Sequence, residues 1–168
     1  MNNYLTFYQR IASFFNRHPL LKLVVIFLNQ SITTFMYILY PGLLLYFYLI
    51  DLPISEWGLM VIVPGISFVL LSIFRKVINA PRPYEEWPIQ RLIKREKVGE
   101  SFPSRHVFSA TMISMCILKW QPILGLICLI LSLILAFCRV AVGVHYPKDV
   151  IVGILIGLLC GSLLFILG

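Results

Sequence analysis

Three short stretches of this sequence carry side chains suited to an anion. "PSRH" sets Ser104, Arg105 and His106 together at the head of an apolar run, "CRVAVGVHYPKD" holds Arg139, His145 and Asp149, and "RKVINAPRP" holds Arg75, Lys76 and Arg82. Arginine presents a planar fork of N–H donors that matches phosphate oxygens in pairs, and a helix N-terminus adds free amides and a favourable dipole. Pro103 ahead of Ser104 reads as a helix start with Ser104 as the cap, so the first-turn amides form an anion cradle. Pro147 fits the first turn of a later helix, which places Asp149 in that turn and within reach of His145 just upstream. A carboxylate there fixes the imidazole tautomer and raises its basicity. Arginines, two histidines and one carboxylate, with no plausible set of metal ligands, suit a phosphate group; neither a metal nor a cofactor is expected.

Taken singly, each residue has a plainer use. Ser104 can be only a cap, Asp149 only an acid that complements a helix dipole, and Arg105 or Arg139 a snorkelling anchor. His106 and His145 can be interface histidines, and Arg75 with Lys76 a stop after a span. None of these uses requires the residues to share one place, so the elements that position them decide the matter.

The chain has 168 residues, 60% of them hydrophobic and 12% charged, against about 45–50% and about 25% in soluble domains. It reads as a single-domain integral membrane protein over residues 1–168, all-α, a helical bundle. Apolar runs cover residues 20–50, 57–78, 104–120, 122–138 and 147–167, and each can cross a bilayer that needs about 20 residues, or about 17 at the short end. The first run is too short for two crossings and reads as one helix, tilted or kinked at Pro41, entered through a surface turn around Asn29, Gln30 and Ser31. No small-residue cleavage site follows it, so it stays as an anchor. Residues 4–15 interleave Tyr4, Leu5, Phe7, Tyr8, Ile11, Phe14 and Phe15 with Arg10, which suits an amphipathic helix lying in the interface over residues 1–18 and ending at His18-Pro19. Trp57 and Trp120 stand at segment ends as interfacial anchors, and Trp87 lies in the loop between the second and third runs. Cys116, Cys128, Cys138 and Cys160 fall inside apolar runs as core residues.

If successive runs cross in opposite directions, parity gathers the three stretches. Arg75, Lys76 and Arg82 follow the end of the second run, Ser104, Arg105 and His106 open the third, Arg139 ends the fourth, and His145 and Asp149 lie at the start of the fifth. All reach the same membrane face, whichever way the protein sits.

The net charge of +7 is unevenly spread, with 11 of the 21 charged residues at 75–100. Basic and acidic residues alternate there, as in a solvated loop or a helix on lipid headgroups. Residues 79–103 are read as a polar loop over the site. Nothing resembles a nucleic-acid module, so the expected partners are membrane lipids and a lipid phosphate substrate.

The three motifs resemble those of the type 2 phosphatidic acid phosphatases: a Lys followed seven residues later by Arg-Pro, then Pro-Ser-Gly-His, then Ser-Arg with His six residues after the Arg and Asp four further on. The resemblance spans residues 75–149, and the flanking apolar runs fit the family's helical core. It implies that His145 is a nucleophile forming a phosphohistidine, that Asp149 orients it, and that His106 protonates the leaving oxygen and then activates water. It implies phosphoryl contacts from Arg82, Ser104 and Arg139 and from a first-motif cation, and no metal. Three positions depart from the pattern. Arg75 stands at the lysine position with Lys76 beside it, so either can supply that cation. Arg105 replaces the glycine, its side chain turning away or adding a phosphate contact, and Cys138 replaces the serine before Arg139.

The implied activity is hydrolysis of a terminal phosphate from a lipid monophosphate or diphosphate: a polyprenyl diphosphate, phosphatidylglycerol phosphate or phosphatidic acid. The alternatives are a phosphotransferase using the same phosphohistidine and a nonenzymatic protein that grips anionic headgroups. The resemblance also implies a bacterial plasma membrane, a site on its extracytoplasmic face, and often six crossings, the sixth drawn from residues 4–28. The loop cations Arg82, Arg91, Lys94, Arg95 and Lys97 point instead to a cytoplasmic site by the positive-inside rule, and the residues alone favour five crossings, since a sixth would put Arg10 and Arg17 in lipid. Oligomeric state is left open.

Overall fold

The computed structural model describes residues 3–89, 91–93 and 97–168; Lys94 and Arg95 lie outside the described residues. The described residues form helices and connecting loops. Helix α1 (Asn3–Arg17) is followed by α2 (Pro19–Leu49), α3 (Ile54–Ile78), the short α4 (Pro83–Glu86), α5 (Arg105–Trp120), α6 (Pro122–Ala141) and α7 (Pro147–Leu167). Pro19, Pro122 and Pro147 each sit in a first helical turn, where the missing N–H has no partner to lose. Helix α3 stops at Asn79, which takes the left-handed conformation and returns its N–H to the Arg75 carbonyl.

Helices α2, α3, α6 and α7 are each long and apolar enough to cross a membrane. Helix α5, at 16 residues, is shorter, about 24 Å at about 1.5 Å per residue. It runs through the middle of the bundle, with Val107, Phe108 and residues 110–117 all buried. It packs most extensively against α7. A Cβ on Gly157 would lie 2.8 Å from the Thr111 Cβ, and one on Gly161 2.5 Å from the Met115 Cβ, so the small residues of α7 let the two helices close on each other. The outward faces carry Ile123, Ile130, Phe137, Leu159 and Ile166, all exposed and all apolar, as a lipid-facing surface requires.

The expected turn around Asn29, Gln30 and Ser31 is absent, because α2 runs unbroken from Pro19 to Leu49. Asn29 points inward instead of marking a surface bend, and its carbonyl accepts the Thr33 hydroxyl one turn on. Residues 4–28 do not form one continuous helix. The chain leaves helical geometry at His18, where Pro19 disfavours the α conformation. Helix α1 buries Tyr8, Ala12 and Phe15 on the bundle and leaves Tyr4, Phe7 and Phe14 exposed, as an interfacial helix would. Phe15 joins Val25, Cys138, Ala141, Val142 and Val144 in a cluster at the end of the bundle where α6 meets α7. All four cysteines are free, three of them fully buried.

Candidate active site

The end of the bundle where α3 and α6 finish and α5 and α7 begin gathers the residues singled out by type. The connection from α6 to α7 holds His145, 1% exposed, and the first turn of α7 holds Asp149, wholly buried. The Asp149 Oδ2 accepts the Tyr146 N–H at 3.0 Å, a bond that ties the carboxylate to the helix start, and it lies 3.4 Å from His145 Nδ1. The same oxygen accepts the Ser101 hydroxyl at 2.5 Å, and that hydroxyl lies 3.4 Å from His145 Nδ1. Nδ1 therefore faces the carboxylate, and Nε2 is the ring nitrogen without these partners. Asp149 Oδ1 is buried with no hydrogen bond.

The backbone on both sides of the imidazole is held as well. Tyr8 of α1 donates its hydroxyl to the His145 carbonyl at 2.7 Å, and Arg82 Nη1 donates to the Val144 carbonyl at 3.2 Å. Burial, assisted by the charges of Arg82 and Arg139, pushes the His145 pKa down to about 4 against the pull of Asp149. The ring is thus neutral near pH 7, which is the nucleophilic form.

Arg75 and Arg82 are buried and act on the loop that follows α3. Arg75 Nη1 donates to the carbonyls of Ser101 and Pro103, and Nη2 to that of Glu100. Arg82 Nε donates to Gly99 O at 2.9 Å and Nη2 to Glu100 O at 3.4 Å. These bonds hold residues 99–103 against α3 and so set Ser101 over Asp149. Lys76 is exposed and lines the outer side of α3 with Phe68 and Ser72, so Arg75 is the first-motif cation that faces inward.

Ser104 stands at the N-cap of α5 and is fully buried, yet its hydroxyl makes no cap bond and has no partner. The capping role expected from sequence is not filled. Its backbone N–H donates to the Asp149 carbonyl at 2.8 Å, which joins the start of α5 to the start of α7 and removes that amide from the expected cradle. Arg139, in the last turn of α6 and 1% exposed, donates from Nη2 to the Thr33 hydroxyl at 3.0 Å. His106 is half-buried and edge-on to Tyr37, the ring centroids 6.4 Å apart, and lines a small void with Thr33, Tyr37 and Ser109. Thr33 thus borders the void at His106 while it accepts from Arg139. Arg105 turns the other way, toward α3, and lies over the Phe68 ring with 5.4 Å to the centroid.

Two cavities open beside this cluster. One, of about 340 Å³, lies between α2, α3 and α5 and is lined by Tyr37, Tyr40, Pro64, Phe68, Phe108 and Ile113 among others. Ser109 and Tyr37 border both it and the void at His106, so this apolar channel between helices lies beside the His106 ring. The other, about 330 Å³ and more polar, lies by Arg139 with Asn29, Gln30, Thr33 and Thr34. Among the described residues no three His, Cys, Asp or Glu side chains gather as a metal site would need.

Sequence reasoning did not single out Ser101, Tyr8 or Thr33. Ser101 lies only three residues before Ser104, but its value depends on Asp149, 48 positions away, and no local pattern encodes that meeting. Tyr8 read as one aromatic among several on an amphipathic helix.

A buried imidazole and carboxylate at the end of a membrane helix bundle, ringed by arginines, suit an enzyme that handles phosphate. Residues 56–167 match the family model of the PAP2 superfamily, and the chain belongs to that family, as the motif resemblance implied. It is 31% identical over 153 residues to the bacitracin transport permease protein BcrC of Bacillus licheniformis, covering 88% of this chain and 72% of that protein. It is 31% identical over 104 residues to the undecaprenyl-diphosphatase BcrC of Bacillus subtilis, covering 61% of this chain and 53% of that one. The fold matches the crystal structure of Aquifex aeolicus LpxE with a TM-score of 0.74, 24% identity and coverage of 96% of this chain and 93% of that one. It matches the transmembrane PAP2 type phosphatidylglycerolphosphate phosphatase from Bacillus subtilis with a TM-score of 0.68, 22% identity and coverage of 98% and 86%.

Proposed function

We propose that the protein removes the terminal phosphate of a lipid phosphate or diphosphate at the membrane surface, through a phosphohistidine on His145 and without a metal ion. The observation that carries this reading is the buried His145 ring, neutral and backed on Nδ1 by Asp149 and Ser101, with Nε2 left to attack. The relative named an undecaprenyl-diphosphatase supports a polyprenyl diphosphate as the substrate class. The apolar channel between α2 and α3 supports entry of the tail from the bilayer.

In the first step the Nε2 lone pair forms an N–P bond while the P–O bond to the lipid breaks, and His106 gives its proton to the departing oxygen. In the second, His106 takes a proton from water, the water oxygen bonds to phosphorus, and the N–P bond breaks to release inorganic phosphate. Asp149 stabilises the positive charge that grows on the His145 ring. Ser104 and Arg139 hold the phosphoryl oxygens, where donors fixed in advance lower the barrier. Arg75 and Arg82 brace residues 99–103 and add positive potential. The site is assigned to the extracytoplasmic face of a bacterial plasma membrane.

The test is to mix purified protein with a lipid diphosphate labelled on its terminal phosphate, in the presence of a chelator, and to quench in alkali, which preserves phosphohistidine. Label is expected on the wild-type protein and absent from His145→Asn, with phosphate release undiminished by the chelator. Turnover by His145→Asn at the wild-type rate would overturn the mechanism. Label passed to an added alcohol in preference to water would convert the reading to a phosphotransferase.

A further inference from the structure

Arg105 is the residue at which the chain departs from the family's glycine, and its surroundings differ from those of the other arginines at this end of the bundle. Arg75 and Arg82 donate to backbone carbonyls and Arg139 to Thr33. Arg105 is half-buried, yet among the described residues its guanidinium makes no hydrogen bond and no ion pair; it lies over the face of Phe68 and feels the charges of Glu100 and Arg75 without bonding to either. Glu100, the nearby acid, is already paired with Lys97 at 2.8 Å. A partly desolvated guanidinium stacked on a ring keeps its N–H edges in the plane and free, which suits the forked contact that an anion makes.

Its place relative to the apolar channel says which anion. Helix α3 runs toward the active site, so of its channel residues Pro64, Gly65 and Phe68, the last is nearest the site. Helices α2 and α5 run away from the site, so Tyr37 and Ser109 lie toward the site on their sides of the channel. The mouth is therefore framed by Phe68 under Arg105 on one side and by Tyr37 beside His106 on the other. Arg105 and His106 are consecutive on α5, so their side chains leave it about 100° apart and straddle whatever passes between channel and site.

We propose that Arg105 binds the phosphate that remains on the lipid, and that it thereby selects lipid diphosphates over lipid monophosphates. This rests on the proposed function above. With the tail in the channel and the terminal phosphorus facing His145, the inner phosphate of a diphosphate occupies the mouth. When the P–O bond to the terminal phosphorus breaks, the bridging oxygen takes the His106 proton and leaves on the inner phosphate, which keeps its negative charge. Arg105 holds that charged group through the step. A monophosphate with the same tail leaves as an alcohol, protonated by His106, and offers Arg105 nothing to hold.

The experiment compares Arg105→Gln and Arg105→Lys with wild type on a short-chain polyprenyl diphosphate and the monophosphate of the same tail. It measures kcat/KM for each, and binding of each lipid in a His145→Asn background. Arg105→Gln is expected to lose about 10- to 100-fold in kcat/KM and in affinity for the diphosphate, the range of a lost charge-assisted contact, with the monophosphate within about twofold. Arg105→Lys should recover part of the loss, as a point charge without the fork. The monophosphate values double as a check that the variants are folded. Equal losses on both lipids, or none on either, would overturn the assignment. Binding lets the comparison stand if wild type hydrolyses only one of the lipids. Failure of the wild-type protein to hydrolyse either lipid while binding the diphosphate selectively through Arg105 would sink the phosphatase reading and leave this one intact.

Discussion

Ser101→Ala removes one hydroxyl and tests whether the serine works through Asp149. The Ser101 hydroxyl donates to Asp149 Oδ2 at 2.5 Å in a site where both residues are wholly buried. The carboxylate has no spare donor to replace it. Oδ1 has no partner, and the remaining contacts on Oδ2 are the Tyr146 N–H at 3.0 Å and the longer approach of His145 Nδ1 at 3.4 Å. A hydrogen bond to a charged group contributes about 1.5–3 kcal/mol. If that is lost from the transition state, where the His145 ring carries positive charge and leans on Asp149, kcat falls about 10- to 100-fold. KM should move little, because Ser101 does not face the channel. The assay is phosphate release from a lipid diphosphate in detergent, run as a double-mutant cycle with Asp149→Asn, and thermal unfolding of each variant is followed in parallel. In the Asp149→Asn background, Ser101→Ala should add less than about twofold, since the partner it acts through is already gone. Full additivity of the two losses, or wild-type kcat in Ser101→Ala, would refute the reasoning.

Tyr8→Phe deletes the bond from α1 to the His145 carbonyl; a net loss of about 1 kcal/mol should lower kcat about fivefold, with KM unchanged and α1 still docked. The depressed His145 pKa bears on stability. An unfolded imidazole titrates near about 6.5 and the buried one at about 4, so between those values the unfolded chain binds more protons and stability is lost as pH falls from about 6.5 toward 4. Above about pH 6.5 this contribution is constant, and His145→Gln should flatten the acid side of a plot of unfolding temperature against pH. Val98 is 75% exposed in the loop next to the site, and three of the four native cysteines are fully buried. A Val98→Cys variant should react with a membrane-impermeant thiol reagent in intact cells, and labelling that requires permeabilised cells would place the site on the cytoplasmic face.

The bundle was legible in the sequence because a bilayer constrains length and composition so tightly. A run of apolar residues near 20 has few alternatives in lipid, and the break at His18-Pro19 set α1 apart as a separate amphipathic helix. Parity then gathered His106, Arg139, His145 and Asp149 at one end with no knowledge of packing. Local signals were less reliable where a side chain could serve two purposes. Asn29 and its neighbours read as a turn, but a helix satisfies its own backbone and the Asn29 side chain found an interior place. Ser104 read as a cap, but its hydroxyl has no partner and the bond across to α7 is made by its backbone.

By itself, then, the sequence determined that the chain is a membrane helix bundle with its histidines, arginines and Asp149 gathered at one end. Element lengths, helix starts and antiparallel threading depend on residues close together in the chain. Only the tertiary structure decided which cation faces inward, Arg75 or Lys76, that Ser101 joins Asp149 beside His145, that Tyr8 reaches across 137 positions to the His145 backbone, and that Arg105 lies over Phe68. Each of these depends on the rotation and depth of one helix against another. Close packing sets those two quantities, as where α7 closes on α5 through Gly157 and Gly161, and no pattern within a single segment encodes them.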